Sequence, residues 1–220
     1  MTRRAVLAVL PAAALLLLTA CDPGAGPTSA PTDGTPAPTA TVTPTPTVEW
    51  TTFTTEAGGT FELPVTWNVQ TDEFGHLAIS DEAGATRLRY REGEEGLGST
   101  CEGGVAVEDI DEVAVDIPSG NSGMYATPTR FVFRAMQLEG SVSATMGLTD
   151  SKSTIDGLAC ELFNFVGSTT PLGLFSFGTA PTMRIEEADL AFSTLADAEA
   201  YTATDDYATL KRILTSLTAP

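Results

Sequence analysis

The chain has 220 residues, and its 29 Asp and Glu against 11 Lys and Arg give a formal net charge of −18. A surface this acidic repels nucleic acid and anionic lipid head groups, because binding to either depends on clustered basic side chains. We therefore expect no nucleic-acid partner and no direct association of the folded part with an anionic membrane.

The first 20 residues have the order of charge and hydropathy of a secretory signal peptide. Arg3 and Arg4 form a positive head, and residues 5–20 follow without a charge, as in the apolar part of such a signal. This run falls short of the ~20 apolar residues that a membrane-spanning helix needs. We therefore predict a signal peptide at residues 1–20, with an uncleaved anchor helix as the alternative.

The signal peptide ends in a motif for lipid attachment. Leu18-Thr19-Ala20-Cys21 resembles the lipobox of bacterial lipoproteins, which implies that the Cys21 thiol takes a diacylglyceryl group and becomes the first residue of the mature chain. One acyl chain binds a membrane only marginally, whereas two hold it stably. We expect a lipoprotein anchored by fatty acid such as palmitate to the outer face of the cell membrane; the alternative is an ordinary signal peptide with a chance cysteine.

Residues 21–48 have the composition of a disordered linker. Between Asp22 and Val48 there are seven prolines, eight threonines and no aromatic residue, so the segment cannot bury enough apolar surface to offset its ordering entropy. Its Thr-Pro repeats favour extended polyproline II, which at ~3.1 Å per residue reaches on the order of 80 Å. We interpret this segment as a stalk that lifts the rest of the chain off the membrane.

Residues 49–220 are long enough for a single acidic domain with one core. They hold seven Arg and two Lys against 27 Asp and Glu. The preference for Arg over Lys indicates a GC-rich coding bias, and together with the lipobox it favours a GC-rich Gram-positive bacterium as the source.

With Cys21 assigned to lipid, Cys101 and Cys160 remain as an even pair. Disulfides persist outside the cytoplasm, and closing this loop would contribute roughly 3–5 kcal/mol through its effect on the unfolded chain. We therefore predict a Cys101–Cys160 disulfide, with two buried thiols as the alternative. A zinc site is disfavoured, since two cysteines and one distant histidine are poor zinc ligands.

The patterning of most of the domain predicts strands. Apolar residues at every second position over 60–69 indicate one strand with a buried face, in which Pro64 marks an edge or a kink. Alternating arginines and apolar residues predict a strand at 87–91 with one basic and one apolar face. Further strands are predicted at 77–80, at 130–139 with 142–148 as a hairpin, and at 158–166 with 172–177 as another pair.

The chain ends in a predicted helix. Five apolar residues recur at helical spacing and form one stripe: Tyr207, Leu210, Ile213, Leu214 and Leu217. Thr204 is a suitable N-cap, and a shorter helix is predicted at 195–201. A mainly antiparallel β-sheet packed against a C-terminal helix makes an α+β fold.

Both ends of the domain resemble one known fold family. The letters FELPVTWNV at residues 61–69 are similar to the F-x-x-P-x-x-W-x-V opening strand of the Mog1/PsbP/LpqN-like α/β/α sandwich, and residues 207–217 are similar to its final helix. Residues 72–200 carry no part of this resemblance. It implies an antiparallel sheet flanked by helices, in a domain that binds proteins or has no assigned activity, and it transfers no catalytic residue.

No constellation of residues points to catalysis. His76 is the only histidine, and the sequence has no Gly-x-Ser-x-Gly elbow, phosphate loop, dinucleotide fingerprint or zinc spacing. Acidic residues crowd the segments 92–95 and 109–112 but lack the spacing of a calcium loop, so solvated loops are the simpler interpretation. We expect no enzyme, no cofactor and no metal, although a carboxylate-based hydrolase would leave no sequence signature.

Two hypotheses about function remain, and both are binding proteins. The first is a non-enzymatic interaction domain that recognises a cell-envelope protein or a wall component. The second is a carrier that binds an apolar small molecule or lipid in an interior pocket, lined by Phe163, Phe165, Phe175 and Phe177. These phenylalanines are otherwise the ordinary core. A sizeable apolar cavity would favour the carrier, and a filled core would favour the interaction domain.

Overall fold

The structure is a computed structural model, and it describes residues 47–93, 103–184 and 190–220. These residues belong to one compact unit that begins at Pro46. The signal peptide, Cys21, most of the stalk and Cys101 lie outside the described residues. Within the described ranges, no helix is long and apolar enough to cross a membrane.

Strands dominate these ranges. They are β1 Trp50–Thr54, β2 Thr60–Pro64, β3 Asn68–Thr71, β4 Leu77–Ser80, β5 Thr86–Glu92, β6 Val105–Ala114, β7 Ala126–Leu138, β8 Ser141–Ser151, β9 Leu158–Ala159, β10 Glu161–Phe163, β11 Phe165–Gly167, β12 Leu174–Gly178, β13 Thr182–Arg184 and β14 Leu190–Phe192. The helices are α1 Leu195–Tyr201 and α2 Asp205–Thr215.

The largest sheet is antiparallel and follows the order β3-β4-β5-β12-β8-β7-β6-β9, with β11 added to β12 and β14 to β8. Paired residues of neighbouring strands point to the same side. The register therefore places Phe131 and Phe133 on one side, which we call the helix face, and Val132 and Arg134 on the other, which we call the Arg134 face. The helix face is covered by α1, α2 and the β1–β2 hairpin.

Aromatic and aliphatic side chains fill the helix face. Phe61 of β2 lies 5.0 Å from Phe177 between ring centroids, and Tyr207 of α2 lies 5.4 Å from Phe133. The apolar stripe predicted for α2 is buried against this layer, and the side chain of Thr204 accepts a hydrogen bond from the N–H of Tyr207 at the helix start. The predicted α+β fold, with a mainly antiparallel sheet and a C-terminal helix, is confirmed.

The single strand predicted at 60–69 is wrong. β2 ends at Pro64, and a turn follows in which the N–H of Trp67 donates to the Pro64 carbonyl oxygen at 2.9 Å. Proline lacks the N–H that a continuing ladder requires, so the chain leaves β1 and begins β3 against β4. Val65, which the period-two pattern assigned to the buried face, is 51% exposed.

The strand predicted at 158–166 is also divided. Its three pieces pair with different strands: β9 with β6, β10 with β13, and β11 with β12. Only the last corresponds to the predicted pair. The division arises because this segment crosses the Arg134 face, where the N–H of Asn164 donates to the Pro181 carbonyl oxygen instead of a sheet neighbour.

Candidate functional site

The predicted basic face of β5 borders a cleft at one end of the sheet. Leu88 and Tyr90 are buried on the helix face, whereas Arg89 and Arg91 project from the Arg134 face. A cleft of about 290 Å³ separates them from the turn between β3 and β4. We call it the arginine cleft; it is lined by Gln70, Thr71, Asp72, His76, Leu77, Ala78, Arg89 and Arg91.

His76 lies at the rim of this cleft and is held by Asp72. Its Nδ1 is 3.2 Å from Oδ2 of Asp72, while Oδ1 of Asp72 accepts the N–H groups of Phe74 and His76 at 2.9 Å each. Desolvation raises the pKa of Asp72, but these hydrogen bonds from His76 and Phe74 outweigh it and leave the pKa below its usual value. The carboxylate therefore stays ionised and orients the imidazole ring.

Arg87 differs from the two arginines that follow it. Its guanidinium lies 2.6 Å from Oδ2 of Asp206 on α2 and 3.4 Å from Oδ2 of Asp81. Tyr201 also donates to Asp206. Burial raises the pKa of Asp206. The hydrogen bonds from Arg87 and Tyr201 lower this pKa by more, so it lies below its usual value. Arg87 thus ties the sheet to the helix layer.

A larger depression lies at the other end of the sheet, where the β7–β8 register shifts between Ala126 and Arg130. Two adjoining clefts meet at residues 127–129. The cleft of about 470 Å³ extends to the segment 115–121, and the cleft of about 530 Å³ extends to β6 and Lys152. We call the joined depression the bulge groove.

A buried carboxylate anchors one wall of the bulge groove. Asp150 is 4% exposed, and its Oδ2 accepts hydrogen bonds from the Ser119 hydroxyl at 2.7 Å and the Gly167 N–H at 2.8 Å. The side-chain amide of Asn121 donates to the Asp150 carbonyl oxygen at 3.1 Å. These hydrogen bonds satisfy the buried polar atoms of Asp150 and hold Ser119, Asn121 and Gly167 together in one wall of the groove. No pattern in the sequence singled out Asp150 or its partners, although the turn-rich letters PSGNSG at 118–123 indicate an ordered loop.

Exposed apolar residues lie in and next to the lining of the bulge groove: Val113 lines it, and Met124 and Tyr125 directly precede the lining residue Ala126. Val113 is 37% exposed, Tyr125 39% and Met124 86%. The carbonyl oxygen of Tyr125 accepts the Lys152 N–H at 2.8 Å, which fixes the rim beside the end of β8. Single exposed apolar residues are ordinary, but a group of them beside a groove marks an interaction surface.

The bulge groove also adjoins an open strand edge. β6 pairs with β9 only at Val105 and Ala106, so along residues 108–114 the described part of the chain places no strand on its outer side. The N–H of Val115 donates to the Thr129 carbonyl oxygen towards β7. Hydrogen-bonding directions alternate along a strand, so the backbone groups of Glu112 and Ala114 point outwards.

The acidic segment predicted at 109–112 is divided by a register shift between Asp109 and Asp111. Asp111 accepts hydrogen bonds from Tyr207 and Lys211 of α2, whereas Glu112 lies 3.3 Å from Arg130 on the Arg134 face. In the other acidic segment, Glu92 accepts from the Tyr90 hydroxyl at 2.6 Å, and residues 94 and 95 lie outside the described residues. Across the described ranges, no three potential ligands converge on a metal site.

Cys160 lies between β9 and β10, half-buried, with its Sγ 2.7 Å from the carbonyl oxygen of Gly103. Gly103 is two residues beyond Cys101 in the sequence. Because Cys101 itself is outside the described residues, the Cys101–Cys160 disulfide stays a prediction.

The four phenylalanines considered for an apolar pocket do not line one cleft. Phe175 and Phe177 are fully buried on the helix face, whereas Phe165 pairs with Ser176 and so points to the opposite face. Phe163 is half-buried on β10, outside the large sheet. These positions make Phe175 and Phe177 part of the filled core.

We found no match between this chain and a protein-family model, a curated protein or a solved structure. The resemblance to the Mog1/PsbP/LpqN-like sandwich therefore rests on the two sequence motifs alone. The residues of the first motif are divided between β2, the following turn and β3.

Proposed function

We propose that this protein is an extracytoplasmic lipoprotein, anchored through Cys21, whose non-enzymatic domain binds an extended basic segment of a cell-envelope protein at the bulge groove. The observation that carries the proposal is the open edge of β6 at residues 108–114, beside a rigid groove and exposed apolar residues. An extended partner adds to such an edge through backbone hydrogen bonds and takes specificity from the adjoining groove.

The charge of β6 supports a basic partner. An open strand edge invites pairing with any other edge, and charged side chains are a common protection against it. Glu108, Asp109 and Glu112 lie along this edge. They repel the same edge of a second copy, while they attract a segment rich in Lys and Arg.

The rigid wall of the groove supports binding without large rearrangement. Ser119 and Asn121 are tied to the buried Asp150, and the N–H of Gly120 donates to the Gly167 carbonyl oxygen at 2.6 Å. A surface already ordered in the unbound protein loses less conformational entropy on binding. The burial of Phe175 and Phe177 in the core likewise favours an interaction domain over the carrier.

The anchor is tested by metabolic labelling with a fatty acid. The wild-type chain should carry the label, and Cys21→Ala should abolish it and leave the precursor uncleaved or release the protein from the membrane. Equal label in wild type and Cys21→Ala would contradict lipidation at this residue.

The partner surface is tested by site-specific photo-crosslinking in cells. A crosslinking residue in place of Tyr125 or Val113 should give one discrete protein adduct, because Val113 lines the groove and Tyr125 is the exposed neighbour of the lining residue Ala126. The same residue in place of Phe74, which is 74% exposed at the β3–β4 turn, is the matched control and should give none. An adduct to glycan in place of protein would assign the groove to a wall component.

A proline substitution tests whether the partner pairs with the edge of β6 through backbone hydrogen bonds or only lies near it. Ala114→Pro removes an N–H that points away from β7, so the β6–β7 ladder is kept while an added strand loses a donor. The Tyr125 adduct should disappear in Ala114→Pro and persist in Ala114→Ser. An adduct of equal yield in both variants would refute strand addition.

We further propose that Cys101 and Cys160 form a disulfide, as expected for an exported protein. The position of Cys160 beside Gly103 supports this pairing. Mass spectrometry of an unreduced digest should find the two peptides joined, and alkylation of both thiols without reduction would exclude the bond.

A further inference from the structure

Arg89 is an exposed cation, and no residue in the described ranges provides it with an anionic partner. Residues 49–220 contain 27 Asp and Glu, and Arg87, two positions earlier on the same strand, pairs with two of them. Arg89 makes no ion pair with any residue that the structure describes. In a chain of net charge −18, carboxylates are abundant, so the unpaired guanidinium is a local departure from the rest of the surface.

The residues beside Arg89 leave its guanidinium accessible. The strand register sets Ala78 next to it on β4 and Gly178 next to it on β12. Neither side chain is long enough to cover an arginine. Arg89 is exposed, and it lines the arginine cleft together with Ala78.

Two further polar side chains of the cleft, Gln70 and Thr71, can donate hydrogen bonds. The Gln70 amide and the Thr71 hydroxyl line it, and neither makes a side-chain hydrogen bond within the described residues. Asp72 is the one carboxylate among the lining residues, and it already accepts the Phe74 and His76 N–H groups and contacts the His76 ring. The cleft thus presents several hydrogen-bond donors beside the positive charge of Arg89.

We infer that the arginine cleft binds a phosphate group, at a site separate from the bulge groove and beyond the proposed protein-binding function. Arg89 and Arg91, two residues apart on one face, lie roughly 6–7 Å from each other along the strand. Arginine binds phosphate oxygens in a bidentate manner, and three or more acceptor oxygens fit this many donors better than the two of a carboxylate.

The charge of the whole domain restricts the source of that phosphate. A flat anionic membrane would bring many charges against the acidic surface, which repels it. A single phosphate group that enters the cleft meets the local arginines at close range, because more distant charges are screened beyond about 8 Å at physiological ionic strength. The phosphate is therefore carried by a small soluble molecule or by a flexible polymer.

Isothermal titration calorimetry on the full-length chain in nonionic detergent tests this site. Glycerol 3-phosphate represents the small molecule, poly(glycerol phosphate) the polymer, and acetate the carboxylate control. We expect saturable binding of one or both phosphates and none of acetate. Arg89→Gln should weaken binding by about tenfold or more, as expected for a lost charge-assisted hydrogen bond, and Arg89→Lys should retain part of it.

Arg184→Gln is the matched control. It removes one positive charge from a surface arginine that pairs with Glu161, and it should leave the affinity unchanged. If Arg89→Gln and Arg184→Gln lose the same affinity for phosphate, the effect is general electrostatics and the proposed site is refuted. The proposal is also refuted if phosphate binding is not saturable or if acetate binds equally well. The Tyr125 crosslink should be unaffected by Arg89→Gln, so failure of the cleft and failure of the bulge groove can be distinguished.

Discussion

Phe133 and Arg134 are neighbours in β7, yet they lie on opposite faces of the sheet in different kinds of interior. Phe133 packs against Tyr207, Tyr201 and Phe192, with ring centroids 5.4, 6.0 and 6.4 Å away. Arg134 is 1% exposed, and it donates hydrogen bonds to Ser153 Oγ at 2.8 Å, the Phe163 carbonyl oxygen at 2.7 Å and Asn164 Oδ1 at 3.2 Å.

The difference lies in what stabilises each face. Apolar burial on the helix face is non-directional and contributes about 1.5–3 kcal/mol for each large side chain. On the Arg134 face a charge is removed from water, which is unfavourable unless hydrogen bonds replace its hydration. Burial lowers the pKa of Arg134 to about 10, although Asp109, paired with it across β6 and β7, acts in the opposite direction.

Asn164 joins the polar interior of the Arg134 face. Its Oδ1 accepts from Arg134, and its Nδ2 donates to Thr145 Oγ1 and the Ala180 carbonyl oxygen at 2.8 Å each. It lies so close to β8 that a Cβ at Gly147 would be 2.6 Å from its Cγ. Glycine at this position makes the close approach possible.

The largest expected effect comes from the helix face. Phe133→Ala should lower the free energy of unfolding by about 3–5 kcal/mol, because it removes buried apolar surface and leaves a cavity among three rings. Urea unfolding measures this loss, and Tyr125→Ala at the exposed rim is the control. A loss below about 1 kcal/mol would mean that the helix face is not the stabilising layer.

On the Arg134 face we expect a somewhat smaller effect. Asn164→Ala removes one of the three hydrogen-bond acceptors of the Arg134 guanidinium and the amide donor to the Ala180 carbonyl oxygen, and it should cost about 1–3 kcal/mol. The exposed strand residue Asn68 provides the control, Asn68→Ala. If both variants unfold at the same urea concentration, the polar network does not stabilise the fold.

The two faces should also respond oppositely to alkaline pH. Burial, followed by hydrogen bonds to Glu92, Asp206 and Asp111, raises the pKa of Tyr90, Tyr201 and Tyr207 well above the usual range. A raised pKa in the folded state means that stability is fully present below the unfolded value of about 10 and is lost as the pH rises above it. The lowered pKa of Arg134 works in the reverse direction over the same range.

With three tyrosines against one arginine, the free energy of unfolding should fall from about pH 10 upwards. Tyr207→Phe should make this decline less steep, and Tyr125→Phe should not. The measurement is urea unfolding at a series of alkaline pH values, together with phenolate absorbance. Stability that increases above pH ~10 would indicate that the Arg134 face controls the response.

The smallest effect concerns the start of α2. Thr204→Ala removes the acceptor of the Tyr207 N–H and should cost about 1 kcal/mol. Thr204→Ser keeps a hydroxyl at the cap and should restore most of the stability. Thermal unfolding compares the two, and equal melting temperatures would show that the cap does not contribute.

The sequence by itself determined the helix face. Period-two alternation identified Leu88 and Tyr90 as buried, and helical spacing identified the stripe of α2. The hairpin predicted at 130–139 and 142–148 is present as β7 and β8, with Gly140 in its turn at a φ of +80°. Each of these signals is local, because the spacing of apolar residues along the chain is set by the secondary structure in which they lie.

Only the tertiary structure decided the Arg134 face, the arginine cleft and the bulge groove. A strand arginine is normally exposed, and Arg134 is buried because its partners arrive 19 to 30 residues later in the chain. The arginine cleft forms where Arg89 of β5 meets Ala78 of β4 and the β3–β4 turn, and the groove wall depends on Asp150 from β8. Hydrogen bonds between distant segments leave no periodic trace in the sequence, since they depend on strand order and register rather than on local spacing.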